Sequence, residues 1–203
     1  MTTAAPARPL RIDAERNRAA ILAAAAKVYA EQGCDSSLEA VARLAGVGVG
    51  TVYRRFPTKE ALIEALLEDA MKTYAEQAER AAARSAVEPW QAFREHVLTL
   101  VTAQAKDRAF SEVITAPGRM SPAFREYHRR AIRASFAVVA QAKAAGVVRA
   151  DLEHRDLLLL TLANHGLVSA GTPGDIRPSL RLADLLLSGV VVEPRQDVTD
   201  GAR

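Results

Sequence analysis

The chain holds a single cysteine, Cys34, so no disulfide can close within it, and a lone thiol suits a reducing compartment. Two fates are open to that thiol, a redox sensor or a small buried hydrophobe, the second being the commoner one. Aromatic residues make up only 5% of the sequence, and no stretch alternates polar with apolar over a useful length, which argues against a sheet. No apolar run approaches the roughly 20 residues needed to span a bilayer, and the leucine-rich stretch Leu157 to Leu162 falls far short. The first dozen residues lack an apolar core for export. The expectation is a cytoplasmic protein with no membrane association. Also missing are a Gly-rich phosphate loop, a G-x-S-x-G elbow and an H-E-x-x-H pair. The four histidines, at 96, 128, 154 and 165, lack metal-ligand spacing. Accordingly no catalytic residue, no metal and no cofactor is expected, and the chain is not expected to be an enzyme.

What the sequence has in quantity is alanine and leucine, within a hydrophobic content of 49%, and this favours helices throughout. Charge is unevenly placed. Residues 1–60 carry nine Lys and Arg against six Asp and Glu, whereas the remaining residues carry 18 of each. The whole excess of three positive charges therefore sits at the amino end, which suits a polyanionic partner.

The stretch from Leu38 to Leu62, LEAVARLAGVGVGTVYRRFPTKEAL, breaks into two short helical patterns hinged at Gly46. Leu38, Val41, Ala42 and Ala45 give the first an apolar face, and Val49, Val52 and Phe56 give one to the second. Gly46 is free to take positive φ in the turn. Two short helices about such a turn form a helix-turn-helix, whose second helix enters the major groove of DNA. Gly48, Gly50, Thr51, Tyr53, Arg54 and Arg55 point outward from that helix. Two glycines at its start weaken it by about 1 kcal/mol each against alanine, a cost that close approach to a duplex would justify. Val49 can meet a thymine methyl, Thr51 a base or a phosphate, Tyr53 a phosphate, and Arg54 or Arg55 a guanine or a phosphate. Thr58 is placed to cap the next helix, so Lys59 falls in its first turn, where an external phosphate would offset the unfavourable dipole. A lysine simply pointing into water is the plainer account.

These residues resemble the DNA-binding domain of the TetR (tetracycline-repressor-like) family of transcriptional regulators. The resemblance rests on Ser37, Val41-Ala42, Ala45-Gly46-Val47, Gly50-Thr51-Val52-Tyr53, Phe56 and Lys59-Glu60-Ala61-Leu62. Gly48 departs from it, since the family often has serine there. The resemblance implies that Ser37 is a phosphate contact, although a helix cap explains that serine equally well.

Around this unit the spacing predicts a first helix from about Asp13 to Gln32, preceded by a mobile arm carrying Arg8 and Arg11. Arg16 and Arg18 near the start of that helix suit either phosphates or solvent. Ser36 and Glu39 have capping-box spacing for the second helix. A long helix follows from Thr58 to about Arg84, then segments from Pro89 to about Lys106, from Arg108 to Thr115 ending at Pro117-Gly118, and from Ser121 to Gly146. The helix beginning at Asp151 or Glu153 is apolar all round at Leu157 to Leu160. Ser179 is placed to cap a last helix running to about Val192, with a polar tail from Glu193.

Two helices apolar on every side have few internal places in a chain of 203 residues. Pairing with a second copy would cover them and set two recognition helices about 34–36 Å apart on a palindromic site. In the TetR family the corresponding helices form a four-helix dimer interface. The middle helices carry Trp90, Phe93, Phe110, Met120, Phe124, Tyr127 and Phe136, with Gln104, His128, Asn164 and His165 among them. That mixture suits either an ordinary helical core or an apolar pocket with a few orienting groups. The family resemblance favours a pocket for a small-molecule effector lined by Trp90, Phe93, Phe110, Phe124, Tyr127, His128, Asn164 and His165.

The expectation is an all-α chain with an N-terminal three-helix helix-turn-helix DNA-binding domain over residues 13–60. A C-terminal helical effector-binding and dimerisation domain would occupy residues 61–192. Its partners would be double-stranded DNA bearing a palindromic operator, a second copy through the last two helices, and a small-molecule effector of unknown identity. Its function would be that of a sequence-specific repressor released from DNA by that effector. A rival is a multidrug- or lipid-like binding protein whose head meets DNA without sequence preference.

Overall fold

A computed structural model describes residues 8–116 and 120–192. Among these, the elements are helices α1 (Arg8–Gln32), α2 (Leu38–Ala45), α3 (Val49–Arg55), α4 (Lys59–Arg84), α5 (Pro89–Lys106), α6 (Arg108–Thr115), α7 (Pro122–Ala144), α8 (His154–Ala170) and α9 (Arg177–Val190). A lone antiparallel bridge from Val148 to Val191 is the extent of extended pairing in the described residues. The all-α expectation holds.

Local chemistry sets the helix ends. Thr58 accepts from the Ala61 N–H at 3.0 Å, Asp107 from Phe110 at 3.1 Å and Ser121 from Phe124 at 3.2 Å. Glu153 and Asp156 cap the start of α8 reciprocally. Gly46, at φ 69°, closes α2 in the left-handed region, and the Val47 N–H returns to Ala42 O at 3.1 Å.

Three expectations about helix starts change. Helix α1 begins at Arg8, five residues before Asp13, because Pro9 lies in the first turn where its missing N–H costs nothing. Arg8 and Arg11 therefore belong to a helix, while the rest of the expected arm, residues 1–7, lies outside the described residues. The Ser36–Glu39 box does not form. Ser37 caps α2, accepting from the Ala40 N–H at 3.3 Å, and Ser36 donates to Gly33 O instead. Ser179 does not cap α9, which starts two residues earlier, with Asp175 accepting from the Arg177 N–H. The expected stop at Pro117-Gly118 and the tail from Glu193 lie outside the described residues.

Helix α4 is the element about which the others gather. Its N-terminal side chains Leu62 and Ile63 join Ile21, Val28, Tyr29, Val41 and Val52 in the core of the first three helices. Further along, Leu67, Met71, Tyr74, Ala75 and Ala78 are buried against α5, α6 and α7. The apolar core is continuous from one end to the other. Ala131, Ala134 and Ala142 on α7 present small side chains, which lets that helix lie close to its neighbours.

Helices α8 and α9 are only half covered. Leu157 and Leu160 are buried, but Leu158, Leu159, Leu162, Leu167, Leu180 and Leu185 stand on the outside. No helix among the described residues is long and apolar enough to cross a membrane.

The core also holds a fully buried histidine. His96 on α5 pairs its Nε2 with Ser135 Oγ at 2.9 Å, and its Nδ1 has no partner among the described residues. Burial, reinforced by His154 nearby, holds its pKa down at about 4 against an ordinary value of 6.5. The unfolded chain therefore binds a proton that the folded one refuses. Stability is fully present above pH 6.5 and falls as pH drops from 6.5 towards 4, by up to about 3 kcal/mol. Urea melts across that window should show the decline, and His96→Gln should flatten it.

Candidate functional site

Helix α3 is held from below and left bare above. Val52 and Phe56 are buried in the core, while Val49, Gly50, Tyr53, Arg54 and Arg55 are exposed and Thr51 is half-buried. Val49, expected to share the inward face, sits at the first helical position and turns outward. Arg54 Nη2 donates to Thr51 Oγ1 at 3.2 Å, which braces the guanidinium along the helix. The Tyr53 hydroxyl donates to Glu39 Oε1 at 3.4 Å, tying the exposed ring to α2. Hydrogen bonds from its own backbone N–H, Ser37 and Tyr53 keep the Glu39 carboxyl below its ordinary range, so it is ionised and acts as a fixed acceptor. The Ser37 cap is itself exposed, at the start of α2. Lys59 is half-buried at the start of α4, 3.8 Å from Asp35, a loose pair that leaves the ammonium available.

A cleft of about 200 Å³ between α1 and α3 is lined by Ala14, Asn17, Arg18, Ile21, Thr51, Arg54 and Arg55. It brings the Arg18 guanidinium beside those of α3. Arg18 was one of two first-helix arginines suited equally to phosphate or water, and Asn17 carried no signal in the sequence. A Cβ added at Gly48 or Gly50 would meet nothing within 4 Å, so neither glycine is required by packing inside the chain.

A second site lies in the helical body. A cavity of about 180 Å³ is bounded by α4 through α8. Its apolar wall is Leu100, Ile114, Ala131, Ile132, Leu157 and Leu158, and its polar groups come from Tyr74, Thr115, His128, Ser135, His154 and Thr161. Of the eight expected effector residues, His128 stands on this wall. Phe110 lies behind it, edge-on to Tyr74 with ring centroids 5.6 Å apart. Trp90 stacks on the buried Phe93 at 6.2 Å and borders a groove against α9. Phe124 is buried, and Tyr127 lies under the Arg130 guanidinium. Asn164 is buried, donating to Gln104 Oε1 at 3.0 Å and Val101 O at 3.1 Å, and His165 Nδ1 pairs with Ser111 at 3.1 Å. The other wall residues were missed, although one signal was present. Small or short side chains recur four apart, Ala131 and Ser135 on α7 against Leu157 and Thr161 on α8, and such spacing leaves space between helices.

A larger groove of about 740 Å³ beside α8 and α9 is open, and two ion pairs lie within it, Arg149 with Asp151 and Arg155 with Glu153. No cluster of His, Cys, Asp and Glu suited to a metal ion occurs among the described residues. Cys34 is buried, and burial together with Glu112 pushes its thiol well above the ordinary range, so it stays protonated.

Cavity and head are joined at α6. Ile114 and Thr115 line the cavity, and one turn earlier Glu112 Oε2 accepts the Cys34 N–H at 2.7 Å. Arg108 donates to Glu31 O at 3.2 Å. The end of α1 is thus fastened to the helix that walls the cavity.

The profile described as bacterial regulatory proteins, tetR family, matches residues 21–66. A TetR transcriptional regulator from Streptomyces coelicolor is 32% identical, with a TM-score of 0.50, covering 87% of this chain and 99% of its own. The ketosteroid transcriptional regulator of Mycobacterium tuberculosis is 19% identical, with a TM-score of 0.64, covering 87% and 95%. The repressor of a Stenotrophomonas maltophilia multidrug efflux pump is 18% identical, with a TM-score of 0.56, covering 87% and 91%. The last two share the fold alone. No curated protein matches the chain.

Because Gly50 meets open space, Gly50→Ala should stabilise the isolated protein by up to about 1 kcal/mol, a Tm rise of about 2–4 °C. Gly46→Ala should lower stability by about 1–2 kcal/mol, because φ 69° strains any Cβ. Calorimetry on both variants checks the pair.

Proposed function

The chain belongs to the TetR family of transcriptional regulators, and from that membership we propose that it is a repressor which binds a palindromic operator as a homodimer and is released by a small-molecule effector. Residues 13–60 act as the DNA-binding domain and residues 61–192 as the effector-binding and dimerisation domain, with α4 beginning at their junction. The observation that carries this proposal is α3, a short helix fixed by Val52 and Phe56 whose outer face is Val49, Gly50, a tyrosine and two arginines, with Gly48 capping its start.

In this proposal α3 enters the major groove, and the small side chains at its start bring the backbone near the base edges. Tyr53, Ser37 and Lys59 anchor phosphates, Lys59 aided by the positive end of α4. Val49, Thr51 and the arginines face the bases, and Gly50 lets them approach. The uncovered leucines of α8 and α9 support pairing with a second copy. Leu158, Leu159, Leu162 and Leu185 leave apolar surface on α8 and α9 that a second copy would cover.

The effector acts by shifting a population. A ligand in the 180 Å³ cavity touches Tyr74 on α4 and Ile114 on α6, both of which connect to the head. Preference for one arrangement of those helices alters the spacing of the two heads. A coupling of about 1–3 kcal/mol changes operator affinity about 5- to 150-fold.

The test is fluorescence anisotropy with an operator selected from genomic fragments. The protein should prefer that operator over random duplex by about 10³-fold or more at physiological salt, whereas equal affinity supports a non-specific binder. Tyr53→Ala and Lys59→Ala should weaken binding to all sequences about equally, and a loss confined to one base pair would contradict their roles. Gly50→Ala, stabilising in the free protein, should lower operator affinity.

A further inference from the structure

The cavity's own hydrogen-bonding groups restrict what it can hold. No lysine, arginine, aspartate or glutamate lies on its wall, so an ionised ligand would be buried without a counter-charge, which is costly. Its volume of about 180 Å³ compares with the roughly 150 Å³ apolar cavity known to take one benzene. A single substituted ring suits that volume.

Three of the wall's protons are already committed, which leaves bare acceptors beside the Tyr74 hydroxyl and the neutral His154 ring, each of which still holds a proton. Thr115 Oγ1 donates to Ser111 O at 2.7 Å, and Thr161 Oγ1 donates to Leu157 O at 2.7 Å. Ser135 Oγ is engaged with His96. His128 Nε2 lies 3.1 Å from Ile114 O, and since a carbonyl only accepts, Nε2 carries the proton. Burial holds His128 in its neutral form, so Nδ1 keeps a bare lone pair with no partner among the described residues. The Tyr74 hydroxyl, also without a partner among the described residues, can donate or accept. A ligand that satisfies the His128 lone pair must bring a proton of its own, and one that stays uncharged avoids a buried charge without a counter-ion.

We propose that the cavity takes a neutral single-ring hydroxyl compound of the phenol class, its hydroxyl donating to His128 Nδ1 and accepting from Tyr74, its ring against Leu100, Ile114 and Leu157. This rests on the proposal that the cavity is the effector site. The two remain separable, because binding to the free protein and release of DNA are measured independently.

Titration calorimetry on the full-length protein tests the ligand class with three probes of similar size, 4-methylphenol, toluene and 4-methylbenzoate. 4-Methylphenol should bind at least about tenfold more tightly than toluene, and 4-methylbenzoate should not bind. His128→Phe should bring 4-methylphenol down to the affinity of toluene, with toluene changed less than about threefold. Ala131→Leu, which fills the cavity instead of altering its polarity, should abolish both. Equal or tighter binding of toluene or 4-methylbenzoate overturns the proposal, as does no binding of 4-methylphenol. An effect of His128→Phe on toluene as large as that on 4-methylphenol also overturns it. If 4-methylphenol binds as expected but leaves operator affinity unchanged, the ligand class stands and the release mechanism fails. If a charged or multi-ring compound releases the operator while 4-methylphenol does not bind, the release mechanism stands and the ligand class fails.

Discussion

Two cores share one helix. Leu62 and Ile63 close the interior of the helix-turn-helix, and Leu67, Met71, Tyr74 and Ala78 on the same α4 close the interior of the body. Fully burying a large apolar side chain is worth about 1.5–3 kcal/mol, so neither half can release α4 without losing much of its own stability. Because no glycine or proline interrupts it, the helix transmits displacement instead of absorbing it at a kink. Lys59 at its start and Tyr74 on the cavity wall are about 22 Å apart at 1.5 Å per residue. A change at one end is therefore a change at the other.

The second fastening, Glu112 and Arg108 of α6 onto the end of α1, makes the head a body held at two points. A head held only by α4 could pivot about it, whereas two attachments restrict that pivot. Gly33 belongs to this arrangement. Its φ of 83° turns the chain out of α1, and an added Cβ would come within 2.7 Å of the Glu112 carboxylate. Nearby, Gln104, Ser111, Asn164 and His165 form a polar network in the body. Such a network fixes the register of α5, α6 and α8, because a slip of one helix would strand buried donors and acceptors.

Much of the fold was legible in the sequence, since helical spacing and cap residues are local signals. Arg108–Thr115 emerges with the expected bounds, and Thr58, Ser121 and the Gly46 turn behave as their chemistry dictates. Ser36 and Ser179 misled because several polar residues near a helix start compete for one set of amides, and the tertiary path selects among them. The candidate DNA-facing residues were also legible, being the outer face of a short helix whose inner face is marked by Val52 and Phe56. The cavity was not. Large aromatic residues suggest a pocket, yet Phe93 and Phe124 pack solidly, Phe136 lies outside stacked on His154, and the space is left by Ala131 and Ser135. A void is made by what is small across several helices, and no single segment announces it.

Native-state hydrogen exchange along α4 measures most directly whether the two cores share one rigid element. Amides from Leu62 to Ala81 should open together, at a single free energy close to that of global unfolding. A stretch between Ile63 and Leu67 exchanging far faster than its flanks would mean that head and body move independently, and the coupling described here would have no path.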